Sequence, residues 1–157
     1  TGRIINLLYL ILQNLQTLPI LYLSNFIINN KSRYYHLLQH VHNQETWEEW
    51  IVFMITCVET TARETIEKIS TIKKMMLQTK LKIRNNYKFY SPELLHNLFK
   101  HPYTKIEFVV HDLGVTRLTA ANYLNKLAAD KILIKQKLGT GNYYINQPLF
   151  DLLTNGK

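Results

Sequence analysis

The chain has little to bend it, little to cross-link it and few negative charges. Five glycines and four prolines are spread over 157 residues, and neither type occurs between Pro19 and Pro92. That long stretch therefore holds no residue that stops a helix by itself. The single cysteine, Cys57, excludes an intramolecular disulfide framework. In its mostly apolar surroundings it reads as a small buried side chain in a reducing compartment, so a cytoplasmic location is expected. The apolar residues near the start are interrupted by Asn6, Gln13, Asn14, Gln16 and Thr17, short of the run of about 18 that a membrane span requires. No membrane partner is expected, and no basic segment with a cleavable small-residue site signals export. Six histidines are present, and His36 and His40 share a helical face at i, i+4. Without an acidic residue or further ligand at the spacing of a zinc motif, they read as surface histidines and no metal site is expected.

Acidic residues number 11 against 19 Lys and Arg, giving a net charge of +8. Residues 1–80 carry +2 of this and residues 81–157 carry +6. The basic character belongs to the second half, where it suits a nucleic-acid surface as well as ordinary solubility.

What is present is chiefly helical periodicity. Ile4, Leu7, Leu8, Ile11, Leu12 and Leu15 recur at three-and-four spacing, with Ile5, Tyr9 and Leu10 adding apolar surface elsewhere, so residues 4–16 read as a helix buried on most sides. Gly2 and Arg3 at its start resemble a phosphate site, because the first turn of a helix has free N–H donors and a positive dipole end. Pro19 ends helical geometry at Leu18, and Ile20 to Ser24 is either a short buried strand or the start of the next helix. Ser24 is a candidate N-cap for residues 25–28, and residues 33–42 resume a helix with Tyr34, Leu37, Leu38 and Val41 on one face. Thr46 and Glu49 form a capping box ahead of Trp47, Trp50, Ile51, Met54, Ile55 and Val58, and the helix they open runs to about Leu81 or beyond.

Residues 82–90 lose the clean period and mark a boundary. Ser91-Pro92-Glu93 then opens a helix that turns Leu94, Leu95, Leu98 and Phe99 inward. Residues 104–106 suggest a short strand and 107–113 a short helix ended by Gly114. A helix follows over 118–130, and two β-rich runs, 132–137 and 142–146, are joined by Leu138-Gly139-Thr140-Gly141. This order is that of a winged helix-turn-helix. In such a module the second helix offers its polar residues to the DNA major groove, here Thr116, Arg117, Thr119, Asn122 and Lys126, while Lys135 and Lys137 rest a wing on the phosphate backbone. A structural or regulatory role is the equal alternative, since the recognition helix has only two formal positive charges.

The first half carries a resemblance. Thr1-Gly2-Arg3-Ile4-Ile5-Asn6-Leu7-Leu8-Tyr9-Leu10, then Leu18 to Ser24, then Lys31-Ser32-Arg33-Tyr34-Tyr35-His36-Leu37-Leu38 and Trp47-Glu48-Glu49-Trp50-Ile51 resemble the part of a Fic family protein that begins at the end of its signature, H-x-F-x-[DE]-G-N-[GK]-R-x-x-R. Thr1 and Gly2 match the last two variable positions, and Arg3 matches the final arginine. The likeness covers roughly residues 1–80, and the winged helix resembles the C-terminal module of a bacterial branch of that family.

The resemblance implies a protein adenylyltransferase that moves AMP from ATP, with Mg²⁺, to a hydroxyl of a protein substrate. It implies that Arg3, beside Gly2, contacts nucleotide phosphates, for which a planar guanidinium fork is suited. It also places Tyr34 and Tyr35 near the nucleotide base; packing in the core is the open alternative for this pair. The motif histidine, the metal-holding acid, the glycine-asparagine loop and the first arginine are absent from these residues. The chain is thus expected to be a C-terminal fragment, inactive alone, with ATP and Mg²⁺ as cofactors of the intact parent and none for the fragment. The expected fold is mainly α: C-terminal helices of a Fic domain over 1–81, a linker over 82–90, and a winged helix-turn-helix domain with a small β-hairpin over 91–157. Besides the protein substrate, DNA and a second copy of the chain are candidate partners. The alternative function is a DNA-binding transcriptional regulator whose helical part serves dimerisation.

Overall fold

The long stretch free of glycine and proline becomes helix. The computed structural model describes residues 2–17, 20, 22–44, 47–139 and 141–154, with the side chains of Arg3, Asn6, Leu7 and Gln44 outside the description. In order, its elements are α1 (Gly2–Leu12), α2 (Ser24–Asn29), α3 (Lys31–Gln44), α4 (Glu48–Asn86), α5 (Pro92–Lys100), β1 (Tyr103–Thr104), α6 (Ile106–Leu113), α7 (Arg117–Ala129), β2 (Ile134–Leu138), β3 (Gly141–Ile145) and α8 (Gln147–Thr154). The described chain is mainly helical with one small antiparallel sheet, as expected from the sequence. None of its helices is long and apolar enough to cross a membrane. Contacts divide it into two units, Thr1–Ile69 and Ser70–Lys157, with the boundary at a residue of α4.

In the first unit, Phe53, Cys57 and Thr61 are buried, one helical turn apart on a single face of α4. Cys57 packs with Leu23 and Ile27, joined by the partly buried Leu10, Phe26, Tyr34, Met54 and Ala62. Burial pushes its thiol pKa up, and a hydrogen bond with Thr61 opposes the shift. Two expectations are corrected here. Helix α1 is not buried on most sides: Ile4 is 63% exposed and Leu12 74%, with Ile5, Leu8 and Tyr9 also exposed. It has more apolar surface than its neighbours cover, and among its described side chains only Leu10 packs against the Cys57 cluster. Ser24 lies inside α2 rather than capping it, because Leu23 occupies the N-cap position without a side-chain cap. Thr46 of the anticipated capping box lies outside the described residues.

The second unit has the larger core. Ile83, Leu94, Leu98, Val109, Ala120, Leu124, Leu127, Leu133 and Tyr144 form one buried cluster. Full burial of each leucine, isoleucine or valine among them contributes roughly 1.5–3 kcal/mol. Strand order is β1-β3-β2, all antiparallel, with Thr104 opposite Tyr144 on one side and Lys135 opposite Tyr144 on the other. The period of two turns Thr104 and Tyr144 to the core. Tyr103, Ile134 and Leu138 stay exposed. A polar bridge joins α5, β1 and α6: the buried Asn97 donates to Asp112 at 2.8 Å and accepts from the Thr104 hydroxyl at 2.6 Å.

Residues 82–90, expected as a linker, belong to this core. Helix α4 continues to Asn86 because Ile83 is fully buried, and the Phe89 ring stacks on Tyr123 of α7 with centroids 4.2 Å apart. Strand β2 starts at Ile134 instead of 132, since the amides of Ile132 and Leu133 are drawn back to the carbonyl of Leu127 at the end of α7. Helix α8, unanticipated from the sequence, begins where the Asn146 side chain accepts from the Leu149 amide.

Two caps set the direction of α7. Gly114 ends α6 in the left-handed region at φ 65°, and the Thr116 hydroxyl accepts from the Thr119 amide at 3.2 Å to start α7. A Cβ at Gly114 would meet nothing within 4 Å, so substitution there acts through the backbone alone. Gly114→Ala should lower unfolding free energy by about 1–2 kcal/mol, measured by urea denaturation. An unchanged midpoint would contradict the left-handed assignment.

Candidate functional site

The polar side of α7 is the most developed surface of the second unit. Ala120, Leu124 and Leu127 face the core, which leaves Arg117, Leu118, Asn122, Asn125 and Lys126 exposed. Arg117 and Lys126 supply positive charge, and the amide of Asn122 supplies both a donor and an acceptor. Lys135 and Lys137 on β2 are likewise exposed. The fold therefore brings the seven C-terminal candidates, Thr116, Arg117, Thr119, Asn122, Lys126, Lys135 and Lys137, into one unit, though not as equally free groups.

Several already have partners. The Thr116 and Thr119 hydroxyls lie 2.9 Å apart and serve the start of the helix. Arg117 reaches Glu107 of α6 at 3.3 Å, with both side chains largely exposed, at 74% and 59%. Such a pair is worth little in stability, yet it places a carboxylate beside the cation that would meet a phosphate. Lys135 donates to the Asn125 carbonyl oxygen at 2.9 Å, and that same oxygen accepts from the Tyr144 hydroxyl at 2.9 Å. Neither Glu107 nor Asn125 was singled out from the sequence. Asn125 had a signal, one helical position before Lys126 on the polar face of α7, whereas the Glu107 pairing depends on how α6 packs against α7.

A second cluster lies at the other side of β3. The Lys105 ammonium sits 4.3 Å above the Tyr143 ring, and its hydrogen bond to Tyr143 holds its pKa above the ordinary lysine value. Asp112 is held below the usual carboxylate range by hydrogen bonds from His111 and Asn97, with Lys100 adding charge. Among the described residues, no group of three or more His, Cys, Asp or Glu is placed to hold a metal ion.

In the first unit, Tyr34 is part of an aromatic cluster, 5.2 Å from Trp50 and 6.3 Å from Phe53. Tyr35 meets Tyr34 edge-on at 5.3 Å, and its own ring is exposed beside Leu38, His42 and Trp47. Gly2 opens α1. The Arg3 side chain lies outside the described residues.

Residues 75–149 match the family model of the C-terminal domain of SoFic-like protein adenylyltransferases. The match relates the chain, at a coarse level, to the Fic-type adenylyltransferases. The SoFic-like region starts on α4 and ends inside α8, so it takes in residues 82–90, in keeping with the burial of Ile83 in the same core.

Within the SoFic-like region, the hydroxyl of Tyr87 donates to the Asp130 carboxylate at the end of α7. Burial first, then that hydrogen bond and charge, push the tyrosine pKa from 10.0 up to about 12. The neutral phenol is favoured in the folded state. Its stabilising contribution is thus whole below pH 10 and is lost as pH rises through about 12. Melting temperature measured from pH 9 to 12 should fall more steeply for the wild type than for Tyr87→Phe, and equal slopes would rule the contribution out.

Proposed function

We propose that the chain is the C-terminal part of a Fic-type protein adenylyltransferase, an enzyme moving AMP from ATP to a protein hydroxyl in the cytoplasm. The observation that carries this reading is the match of residues 75–149 to the SoFic-like C-terminal domain. The likeness of Thr1-Gly2-Arg3 to the end of the Fic signature supports it. The first unit, Thr1–Ile69, is then the last helices of a Fic domain. The rest is a winged helix-turn-helix, a reading supported by the run α5-β1-α6-α7-β2-β3 and the strand order β1-β3-β2.

ATP and Mg²⁺ belong to the intact enzyme in this reading. The histidine that would accept the hydroxyl proton and the acid that would hold the metal are not among these residues. No step of the transfer is therefore assigned to them. Arg3 is the residue suited to bind phosphate, as a charged bidentate donor.

Incubated with labelled ATP, Mg²⁺ and candidate proteins, the 157-residue chain should transfer no label, and labelling above a no-protein control would overturn its inactivity. The parent assignment has its own check: the reading frame upstream of Thr1 should encode H-x-F-x-[DE]-G-N-[GK]-R, and a frame without it would remove the adenylyltransferase reading.

The joint exposure of Arg117, Asn122, Lys126 and Lys137 favours a second role, contact with DNA through α7 and the β2–β3 wing. Gel shifts should then weaken with rising salt, and Lys137→Ala should reduce the log–log salt slope by about 1. No shift at low salt would exclude this role.

A further inference from the structure

A groove of about 790 Å³ lies within the second unit. Its walls are α4, the end of α5, the turn from α7 to β2 and the start of α8. Leu98 and Leu133 form a buried floor, flanked by the half-buried Met75, Phe99 and Ile132. Three ammonium groups, Lys82, Lys131 and Lys135, stand on its exposed rim, against one carboxylate, Asp151, which accepts from Gln147 at 2.7 Å. Lys135 has Asn125 as a partner. Among the described residues, no carboxylate pairs with Lys82 or Lys131.

The backbone at Lys131 adds an independent observation. It takes the left-handed conformation at φ 56°, just past α7, where its amide bonds Ala128 and the next amide bonds Leu127. This is the closing turn in which glycine, and less often asparagine, is the usual residue, and a lysine there costs about 1–2 kcal/mol. A lysine held there at such a cost, on the rim of an apolar groove, is an outlier of the kind that marks a functional position.

We infer that this groove binds an acidic amphipathic peptide segment, with apolar side chains on the Leu98–Leu133 floor and carboxylates paired to Lys82, Lys131 and Lys135. The volume is that of a ligand pocket, but the groove is partly open to solvent, which suits a segment of chain better than an enclosed small molecule. The excess of rim cations selects carboxylates over basic or neutral partners. Adenylyl transfer and DNA contact draw on neither Lys82 nor Lys131, whereas Lys135 is also a candidate for the DNA backbone.

The test uses the full chain and a fluorescein-labelled synthetic helix of glutamate and leucine at three-and-four spacing, followed by fluorescence anisotropy. Saturable binding is expected, with a loss of about tenfold when Lys82→Glu and Lys131→Glu are combined. Lys131→Gly separates binding from folding: glycine relieves the left-handed strain, so the variant should melt no lower than wild type while binding several-fold more weakly. Equal binding of the same helix with lysine in place of glutamate would overturn the inference. So would unchanged affinity in Lys131→Gly and the double variant, which would place the peptide on other apolar surface, or no saturation at about 1 mM.

Discussion

The second unit depends on one buried phenol. Tyr144, at 1% exposure, puts its ring among the leucines of α5 and α7. A buried tyrosine hydroxyl needs a hydrogen-bond partner, since an unmet one costs more than a made one gains. The Asn125 carbonyl oxygen provides it and uses its second acceptor site for Lys135. One amide oxygen thus ties α7 to β3 and β2 together. The β2–β3 hairpin cannot shift against the helix without breaking a bond at the edge of the core, and the polar face of α7 and the lysines of β2 are held in one arrangement.

Much of this unit was legible where chemistry is local. Ser91 before Pro92 and Gly114 each announce a helix end by side chain or lack of one, and each performs that role; Thr116, read from the sequence only as a DNA candidate, is a cap as well. What failed were inferences about packing partners. Residues 82–90 look polar and aperiodic, but three aromatic rings and Ile83 suffice to fold them into the core. Asn146 ahead of Pro148 and Leu149 carried the signature of a helix start that the preceding β-rich run obscured. Helix α1 shows the reverse error: an all-round apolar sequence states what a helix would bury, and its surroundings decide how much is covered.

The candidate site was legible as a set of residue types and less so as free groups. Arg117 and Lys135 were identifiable from their positions, but the partner of each lies ten residues away in a neighbouring element. Glu107 answers Arg117 from the neighbouring helix, and Asn125 answers Lys135 across the α7–β2 turn. The result is a surface on which Asn122, Lys126 and Lys137 stay uncommitted while the most versatile cation is already matched by a carboxylate. In the first unit, Tyr34, open from the sequence between pocket and core, packs with Trp50 and Phe53 in an aromatic cluster whose neighbour Tyr35 faces solvent.

Both tryptophans, Trp47 and Trp50, and the lone thiol of Cys57 fall in the first unit. Intrinsic indole emission and thiol labelling therefore follow that unit alone, while the larger core around Tyr144 is optically represented only by its tyrosines and its peptide groups. A melting curve read from tryptophan would look like a single clean transition even if the other unit remained folded. Agreement between indole emission and far-ultraviolet circular dichroism is then a direct readout of whether the two halves of this chain come apart as one cooperative system or as two.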